Sequence, residues 1–326
     1  MKASLKTIAE QSGVSKTTVS FVLNGRGDEK NISSETQKRV LDTARQQNYQ
    51  PNQLARSLSL GRSFTIGFVV PDIANPFFSK MARLVEQYAE EKGYSVMMAS
   101  TGEKPEKEQL ILESFRNRQV DGIILAPTCQ ASLQFSKHLP LVSFDRVFKS
   151  DDQNFVDINN QETAQKLTES LISRGHKHIA LFTISSHLPN IQERIKGYKT
   201  ALQSNNIEFD EDSIFEIRKE HIKADVNAAI HQLLEAKTVS SILFLSNVLT
   251  SEGIWSVNKN YPNKKENLQF ASFDNLELFD FVEPSVISAL QPSDEMAKRS
   301  VDMLHSQIEN NKTVTNHCLS TTIIER

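Results

Sequence analysis

Cysteine, long apolar runs and a leader segment are scarce or absent in this chain, and each scarcity excludes a class of protein. The 326 residues include two cysteines, Cys129 and Cys318, whose wide separation excludes a disulfide framework or a zinc cage. No apolar run approaches the ~18 residues of a membrane span, and the stretch MKASLKTIAEQSG lacks the apolar segment of a secretory signal. We therefore expect a soluble cytoplasmic protein of about two domains, with no membrane partner.

The small net charge of −3 conceals an uneven distribution. Residues 1–62 carry ten Lys and Arg against five Asp and Glu, a net charge of +5, whereas residues 63–326 carry −8. A basic head on an acidic body indicates that only the head meets a polyanion such as DNA. The alternative is an ordinary solvated basic face.

The basic segment carries the pattern of a helix-turn-helix. Ser4 is the predicted cap of a helix over Leu5–Ser12, and Gly13 supplies a sharp turn. Ser15 then caps a second helix over Lys16–Leu23. In such a pair the second helix enters the major groove of DNA. Its outward positions are predicted to be Lys16, Thr17, Ser20 and Phe21, although a merely polar surface is the alternative.

Two further helical segments are predicted in the head. One begins at Ser33 or Ser34 and closes a small core with Val40, Leu41 and Ala44. The other, residues 51–60, begins at Pro51, which suits a first helical turn, but it is too short to be stable alone in water. We therefore expect this second segment to form only when a partner holds it.

From Phe64 onward, short apolar runs alternate with helical patterns. The predicted strands are Thr65–Val70, Tyr94–Ser100, Val120–Ala126, Leu141–Asp145, His178–Ile184, Ser241–Ser246, Leu268–Phe273 and Val286–Leu290. Repeated β-α units predict parallel sheets with helices on both faces, and a run of this length favours two sheets over one. The predicted fold is an all-α helix-turn-helix head (residues 1–62) followed by an α/β core (residues 63–326) of two doubly wound lobes.

A cleft between two such lobes, at the carboxyl ends of the strands, forms a natural small-molecule site. We expect the first lobe at about 64–158 plus 292–315 and the second at about 159–290 plus 316–326. Charged residues at the predicted strand ends suit a polyhydroxylated ligand, because carboxylates accept hydrogen bonds from hydroxyls and arginine forks bind oxygens or phosphate. Phe77 or Phe78 is expected to offer a flat apolar face to a sugar ring. Salt-bridged loop residues and core aromatics are the alternative.

No motif in the sequence supports catalysis or metal binding. Neither a Walker-type GxxxxGK[ST] loop nor a GxSxG elbow is present. His176 and His178 flank Lys177 before a strand, a pattern that favours a polar strand edge over a metal site. We therefore expect no catalytic residue, no metal and no cofactor.

Three stretches, in their order along the chain, resemble the lactose/galactose repressor (LacI/GalR) family. They are LKTIAEQSGVSKTTVSFVLNG, RVLDTARQQNYQPNQLARSLSLGRS and TIGFVVPDIANPFF, and the resemblance covers essentially the whole chain. The insertion GRGDEKN and the stretch ASFDNLELFDF further resemble the sucrose- and fructose-operon repressors. The resemblance implies a head that binds operator DNA and a core like a periplasmic sugar-binding protein.

The resemblance also implies roles for individual residues. Residues 51–60 correspond to a hinge helix that orders in the minor groove, with Leu58 as an intercalating wedge. DNA contacts are expected from Ser4, Lys6, Ser15, Lys16, Thr17, Thr18, Ser20, Phe21, Asn24, Asn52, Arg56 and Leu58. Effector contacts are expected from Asp72, Phe77, Asp145, Arg146, Arg194, Asn247, Asp274 and Gln291.

One departure from the family pattern bears on the effector. Many members carry an Asn-Asp pair where Ser246 and Asn247 stand here, so an aspartate ligand for a neutral sugar is missing. Together with two arginines, this favours a phosphorylated or fructose-type sugar, such as fructose 1-phosphate.

The resemblance implies a sequence-specific transcriptional repressor that acts as a homodimer. It would bind near-palindromic double-stranded operator DNA and be released by a sugar or sugar phosphate. Use of the sugar as a corepressor, or activation instead of repression, is left open by the sequence. A sugar-binding transport receptor has no use for the head, and a sugar-processing enzyme needs a catalytic constellation that the sequence does not show.

Overall fold

The computed structural model describes residues 4–49, 61–137, 139–148, 153–184, 187–236, 239–310 and 313–326. The chain divides into two compact units, Met1–Ser63 and Phe64–Arg326. The predicted hinge helix 51–60, with Asn52, Arg56 and Leu58, lies outside the described residues.

The described head consists of α1 (Leu5–Ser12), α2 (Lys16–Leu23) and α3 (Ser34–Gln46). Each helix begins where a serine side chain (Ser4, Ser15 or Ser33) accepts a hydrogen bond from the backbone N–H three residues further on. Gly13, between α1 and α2, has a φ of +66°, a conformation that glycine adopts without steric cost. The helices meet in a small core that contains Ile8, Val19 and Val40, which are fully buried. Leu41, predicted for this core, is instead exposed.

The first sheet of the core unit is parallel throughout. Its strands are β1 (Thr65–Val70), β2 (Ser95–Ser100), β3 (Gly122–Leu125), β4 (Leu141–Phe144), β5 (Asn154–Ile158) and β11 (Asn316–Leu319). They are ordered β11-β5-β4-β3-β1-β2. The central strands β3 and β4 are fully buried and mainly apolar, because helices cover both of their faces.

The second sheet repeats this plan with one antiparallel strand at its edge. Its strands are β6 (Ile179–Thr183), β7 (Ile214–Glu216), β8 (Ser241–Phe244), β9 (Gln269–Phe273), β10 (Val286–Leu290) and β12 (Thr322–Ile324). They are ordered β12-β10-β9-β8-β6-β7, and β12 runs antiparallel to β10.

Helices follow most of these strands and cover the sheets. They are α4 (Pro76–Glu91), α5 (Pro105–Asn117), α6 (Asn160–Ser173), α7 (Pro189–Ser204), α8 (Ile222–Ala236), α9 (Asn247–Asn260) and α10 (Ser293–Ile308). Short 3₁₀ segments lie at Gln130–Lys137, Glu211–Ser213, Lys219–His221, Lys265–Asn267 and Glu277–Phe281. Helices α6 and α7 approach closely because Gly197 has no side chain: a Cβ there would lie 2.1 Å from the carbonyl oxygen of Gln161.

The structure corrects the predicted division of the chain into lobes. The sequence patterns assign residues 316–326 to the second lobe, but β11 pairs with β5 of the first sheet, and only β12 lies in the second. Both strands are edge strands and half exposed, so their hydrophobic pattern carries little information about which sheet they join. The chain therefore crosses between the sheets at residues 158–160, 290–293 and 319–322.

Candidate functional site

The start of α2 is held by a compact hydrogen-bond arrangement. Ser15 Oγ accepts a hydrogen bond from the backbone N–H of Thr18 at 3.0 Å, and the two hydroxyls lie 2.9 Å apart. Two predicted DNA-contacting residues, Ser15 and Thr18, thus fix the helix start. The next residues on α2, Lys16 and Thr17, are exposed.

Further along α2, the predicted DNA-contacting side chains are partly engaged. Asn24 Nδ2 donates to the Ser20 carbonyl at 2.8 Å and so satisfies the end of the helix. Phe21 is half buried, with the Arg26 guanidinium carbon 5.7 Å and the Lys30 Nζ 5.5 Å from its ring centroid. At α1, Ser4 acts as the cap and Lys6 lies 3.9 Å from Glu10.

The core unit contains a cavity of about 350 Å³ at the carboxyl ends of strands from both sheets. Its walls include seven of the eight predicted effector residues: Asp72, Phe77, Asp145, Arg146, Arg194, Asp274 and Gln291. This volume lies near the lower end of the ~300–1,000 Å³ of small-molecule pockets. The cavity is therefore large enough for a small ligand, and its walls carry charges of both signs.

Three acids on these walls have an unusual backbone. Glu103, Asp145 and Asp274 have φ angles of 64°, 61° and 80°, a region that non-glycine residues seldom adopt. Backbone strain of this kind is concentrated at functional sites, where the surrounding structure holds it in place. Burial raises the pKa of Asp145 to about 6, although the Arg194 and Arg146 guanidinium groups oppose that rise. Burial also raises the pKa of Asp274.

Arg146 and Glu103 form a bidentate ion pair inside the cavity. The two guanidinium NH groups donate to the two carboxylate oxygens of Glu103 at 2.5 and 2.6 Å. Lys219 Nζ lies 3.8 Å from the same carboxylate. Burial is the largest single influence on the pKa of Glu103 and raises it, but the hydrogen bonds from Arg146 together with the positive charges of Arg146 and Lys219 lower the pKa overall. Glu103 is therefore an anion held between two cations.

Arg194, on α7 of the second lobe, is almost completely buried and occupies the centre of the cleft. Its Nε donates to Asn160 Oδ1 at 2.8 Å, and its NH1 donates to the Leu245 carbonyl at 2.9 Å. The guanidinium lies 3.5 Å from the centroid of the Phe273 ring. Its NH2 is 3.9 Å from Asp145 Oδ1 of the first lobe. A single side chain thus joins both lobes at the cavity.

Several buried polar atoms at the cavity have unused hydrogen-bonding capacity. Among the described residues, Arg146 Nε and Gln291 Oε1 find no hydrogen-bond partner, although the amide of Gln291 donates to Asp274. Unpaired buried polar atoms are costly in a folded protein, so each one requires an explanation. A polar ligand in the cavity supplies one.

The structure does not place Asn247 on the wall of this cavity. Asn247 is the first residue of α9, and its Nδ2 turns towards Asn75 Oδ1 of the first lobe at 3.3 Å. It borders an adjacent cavity of about 630 Å³ that shares Phe77, Asp274 and Gln291. An effector contact by Asn247 therefore stays a prediction, and its hydrogen-bond partner Asn75 lies on the wall of the main cavity.

Sequence reasoning missed two charged residues of the cavity, Glu103 and Lys219. Both follow strands at the same edge as the predicted residues, Glu103 after β2 and Lys219 after β7. Extending the strand-end argument to the loop after β2 would have found Glu103. Lys219 could not be found in this way, since the three-residue strand β7 has no recognisable pattern in the sequence.

The described residues show neither a metal-binding cluster nor a membrane-spanning helix. The part of the chain that the structure describes holds no group of three or more His, Cys, Asp and Glu side chains arranged to bind a metal ion. Within the same residues, no helix combines the length and apolar character needed to cross a membrane.

Comparison with protein families covers both units of the chain. Residues 63–324 match the periplasmic binding proteins and sugar binding domain of the LacI family. Residues 4–52 match the bacterial regulatory proteins of the lacI family. The chain belongs to the LacI family. This LacI-family chain is therefore a DNA-binding transcription regulator with a sugar-binding type of core, and not an enzyme.

Individual relatives align along most of the LacI-family chain. The ribose operon repressor of Halalkalibacterium halodurans is 30% identical over 307 residues, which cover 94% of this chain and 90% of that protein. The solved lac repressor dimer bound to operator and the anti-inducer ONPF has a TM-score of 0.86 at 19% identity, covering 100% of this chain and 98% of that one. The Cra dual regulator of Pseudomonas putida in complex with fructose 1-phosphate has a TM-score of 0.72 at 24% identity, covering 81% and 98%.

Proposed function

We propose that this protein is a sequence-specific repressor of a sugar-utilisation operon of the sucrose or fructose type, released from its operator by a sugar or sugar phosphate. The observation that carries the proposal is the cavity in which Asp145, Arg146, Arg194 and Asp274 converge, in a chain whose other unit is a helix-turn-helix. The head is of a kind that binds DNA, and the cavity of the core unit can hold a small polar ligand.

The charges of the cavity support a phosphorylated sugar as the effector. Asp72, Asp145 and Asp274 are acceptors for sugar hydroxyls, while Arg146 and Lys219 both face the carboxylate of Glu103. A phosphate group is recognised by the same cationic partners as a carboxylate. The Glu103 carboxylate thus occupies a position suited to an anion. In the proposed complex, the phosphate of fructose 1-phosphate competes with this carboxylate for Arg146 and Lys219.

Coupling between effector and operator is proposed to run through the arrangement of the two lobes. Arg194 contacts groups from both lobes, and the chain crosses between the sheets at three places. A ligand that binds one lobe arrangement more tightly shifts the population towards it. If operator DNA favours the other arrangement, effector and operator weaken each other's binding by the same factor.

We propose that the repressor acts as a homodimer. The segment Glu277–Phe281 exposes two large apolar side chains, Leu278 at 54% and Phe281 at 85% of their surface. Exposed apolar groups that lie close together are typical of protein contacts. Two heads on a dimer bind half-sites one helical turn apart, about 34–36 Å, which requires a near-palindromic operator.

Fluorescence anisotropy at fixed salt tests the proposal. The probe is a near-palindrome from upstream of the protein's own gene, and the titrants are fructose, fructose 1-phosphate and sucrose. We expect tight binding and release by one of the three. Tighter binding on addition of a sugar would identify a corepressor and contradict release, and the absence of specific binding would contradict the assignment of the head.

A further inference from the structure

Phe21 is an apolar residue on the exposed face of the recognition helix α2, and the small core of the head does not account for it. The partly buried apolar residues that pack on that core are Leu5, Val14, Leu23, Ile32 and Tyr49. The described contacts of the Phe21 ring are instead two cations, Arg26 and Lys30, at 5.7 and 5.5 Å. The half-exposed Phe21 ring lies outside the core of the head and is therefore available for contact with a partner of α2.

The loop that carries these two cations has a fixed conformation. The Arg26 N–H donates to the Phe21 carbonyl at 2.8 Å, and the Arg26 guanidinium forms a bidentate pair with Glu29 at 2.7 and 2.8 Å. Gln37 of α3 donates to Asp28 Oδ1 and to the Ile32 carbonyl, both at 2.8 Å. Hydrogen bonds therefore hold the loop to both α2 and α3.

Gly27 shows how closely the loop packs. A Cβ at this position would lie 2.3 Å from the side-chain amide carbon of Gln37, so a larger residue would displace that amide from its hydrogen bonds to Asp28 and Ile32. The loop and the Phe21 ring that it covers are therefore already ordered in the folded head. DNA binding does not carry the entropic cost of ordering them.

The charges of the loop argue against the DNA backbone as its partner. Arg26 and Lys30 are balanced by Asp28 and Glu29, and the Arg26 hydrogen bond lowers the pKa of Glu29 to about 2. Because these two carboxylates repel phosphate, the loop as a whole has no net attraction for it. A function for Phe21 is to be sought in the groove rather than on the phosphates.

The major groove offers one type of apolar group, the C5-methyl of thymine, among base-edge donors and acceptors. Thr17 and Phe21 are four residues apart and so share one face of α2, separated by about 6 Å along its axis. We infer that Phe21 reads the C5-methyl group of a thymine in each operator half-site, and that the loop Arg26–Asn31 holds its ring for this contact. The inference rests on the proposed function, since it assumes that α2 lies in the major groove of an operator.

The test replaces thymines of an operator by 2′-deoxyuridine, which lacks only the methyl group. The full-length protein first selects an operator from a random pool of duplexes. Each thymine is then replaced symmetrically in both half-sites, and affinity is measured by anisotropy at fixed salt. At one position we expect a loss of about fourfold per methyl, or about fifteenfold for the pair, from ~0.8 kcal/mol per buried methyl-sized group.

Two substitutions of Phe21 distinguish base reading from a structural role. Phe21→Ala should weaken binding to the thymine operator and should no longer distinguish it from the deoxyuridine operator. Phe21→Leu keeps an apolar group and should retain part of the discrimination, while circular dichroism verifies that both heads are folded. Equal sensitivity to deoxyuridine in the protein and in Phe21→Ala would overturn the inference, as would insensitivity at every thymine.

Glu29→Gln tests the role of the loop. Removal of the carboxylate should raise affinity for all duplexes, because a repulsive charge is lost, while the ratio of affinities for thymine and deoxyuridine falls towards one. An unchanged ratio would overturn the role assigned to the loop. A protein that selects no duplex from the pool contradicts the proposed function itself, a result distinct from selection without dependence on thymine.

Discussion

At the scale of single residues, the cleft is a set of buried charges that pair with one another or with neutral polar groups. Arg146 forms an ion pair with Glu103, and Arg194 donates hydrogen bonds to Asn160 and to the Leu245 carbonyl. Burial raises the pKa of Asp145 to about 6. Buried ion pairs are weak sources of stability because desolvation offsets their attraction. Their presence in a cavity is better explained by a ligand than by folding.

Replacing Glu103 should change the preference of the cleft between phosphorylated and unphosphorylated sugars. Glu103→Gln removes the anion that now pairs with Arg146 and Lys219. We expect the ratio of affinities for fructose 1-phosphate and fructose to rise about tenfold, equivalent to ~1.4 kcal/mol. Isothermal titration calorimetry on the full-length protein measures both. Glu106→Gln is a matched control, since Glu106 is a neighbouring exposed acid on α5. An unchanged ratio would contradict the anion position.

Asp157 provides a prediction for the pH dependence of stability. Burial raises its pKa to about 7, although the carboxylate accepts a hydrogen bond from the Ile158 N–H. Since the folded protein holds this proton more tightly than the unfolded chain, Asp157 lowers the stability as pH rises from about 4 to about 7, and the loss persists above that. Asp157→Asn should therefore raise the free energy of unfolding by roughly 1–3 kcal/mol at pH 8 and leave it nearly unchanged at pH 4.

Thermal denaturation of both proteins at the two pH values measures this difference. The asparagine can keep the acceptor that the Ile158 N–H and Asn160 Nδ2 now use. The same difference in midpoint at pH 4 and at pH 8 would contradict a proton linked to this residue.

At the scale of elements, local signals in the sequence were sufficient for the head and insufficient for parts of the core. The bounds of α1 and α2 follow from the caps Ser4 and Ser15 and from the turn at Gly13, all of which act within a few residues. The strands β5, β7 and β11 are polar, short or half exposed, and only their sheet partners identify them. Pairing over 161 residues, as between Phe155 and Asn316, leaves no local signal.

The cleft residues divide in the same way. The rule that ligands bind at strand ends points to six of the seven residues on the cavity wall, because it requires only the position of each strand. The seventh, Arg194 on α7, is implied by the family resemblance. The side chain of Asn247, the first residue of α9, turns to Asn75 of the first lobe. Side-chain direction depends on packing between lobes, which sequence patterns do not contain.

The hinge assignment of residues 51–60 remains a prediction, and one substitution tests it. Leu58→Ala removes the side chain expected to wedge between base pairs. We expect operator affinity to fall at least tenfold, a few kcal/mol being available from such wedges, while the affinity for the effector stays unchanged. Anisotropy and calorimetry measure the two. Equal losses in both affinities would contradict a hinge role.

At the scale of the whole molecule, the proposal links two heads to one spacing on DNA. If the homodimer holds its heads one helical turn apart, the half-sites must lie on the same side of the duplex. Inserting five base pairs between them rotates one half-site by about half a turn, and we expect affinity to fall to the level of a single half-site. Anisotropy with operators of graded spacing measures this effect. Equal affinity at all spacings would contradict a rigid pair of heads.

The central claim is that occupation of the cleft at Arg194 releases the operator. The most direct measurement is a titration of the operator complex with fructose 1-phosphate, using the protein and its Arg194→Lys variant. Arg218→Lys is the matched control, because Arg218 forms a bidentate pair with Asp225 at the surface. We predict release from the protein and from the control but at least tenfold weaker release from Arg194→Lys, with operator affinity unchanged before the sugar is added. Release of equal strength from all three proteins would contradict the account.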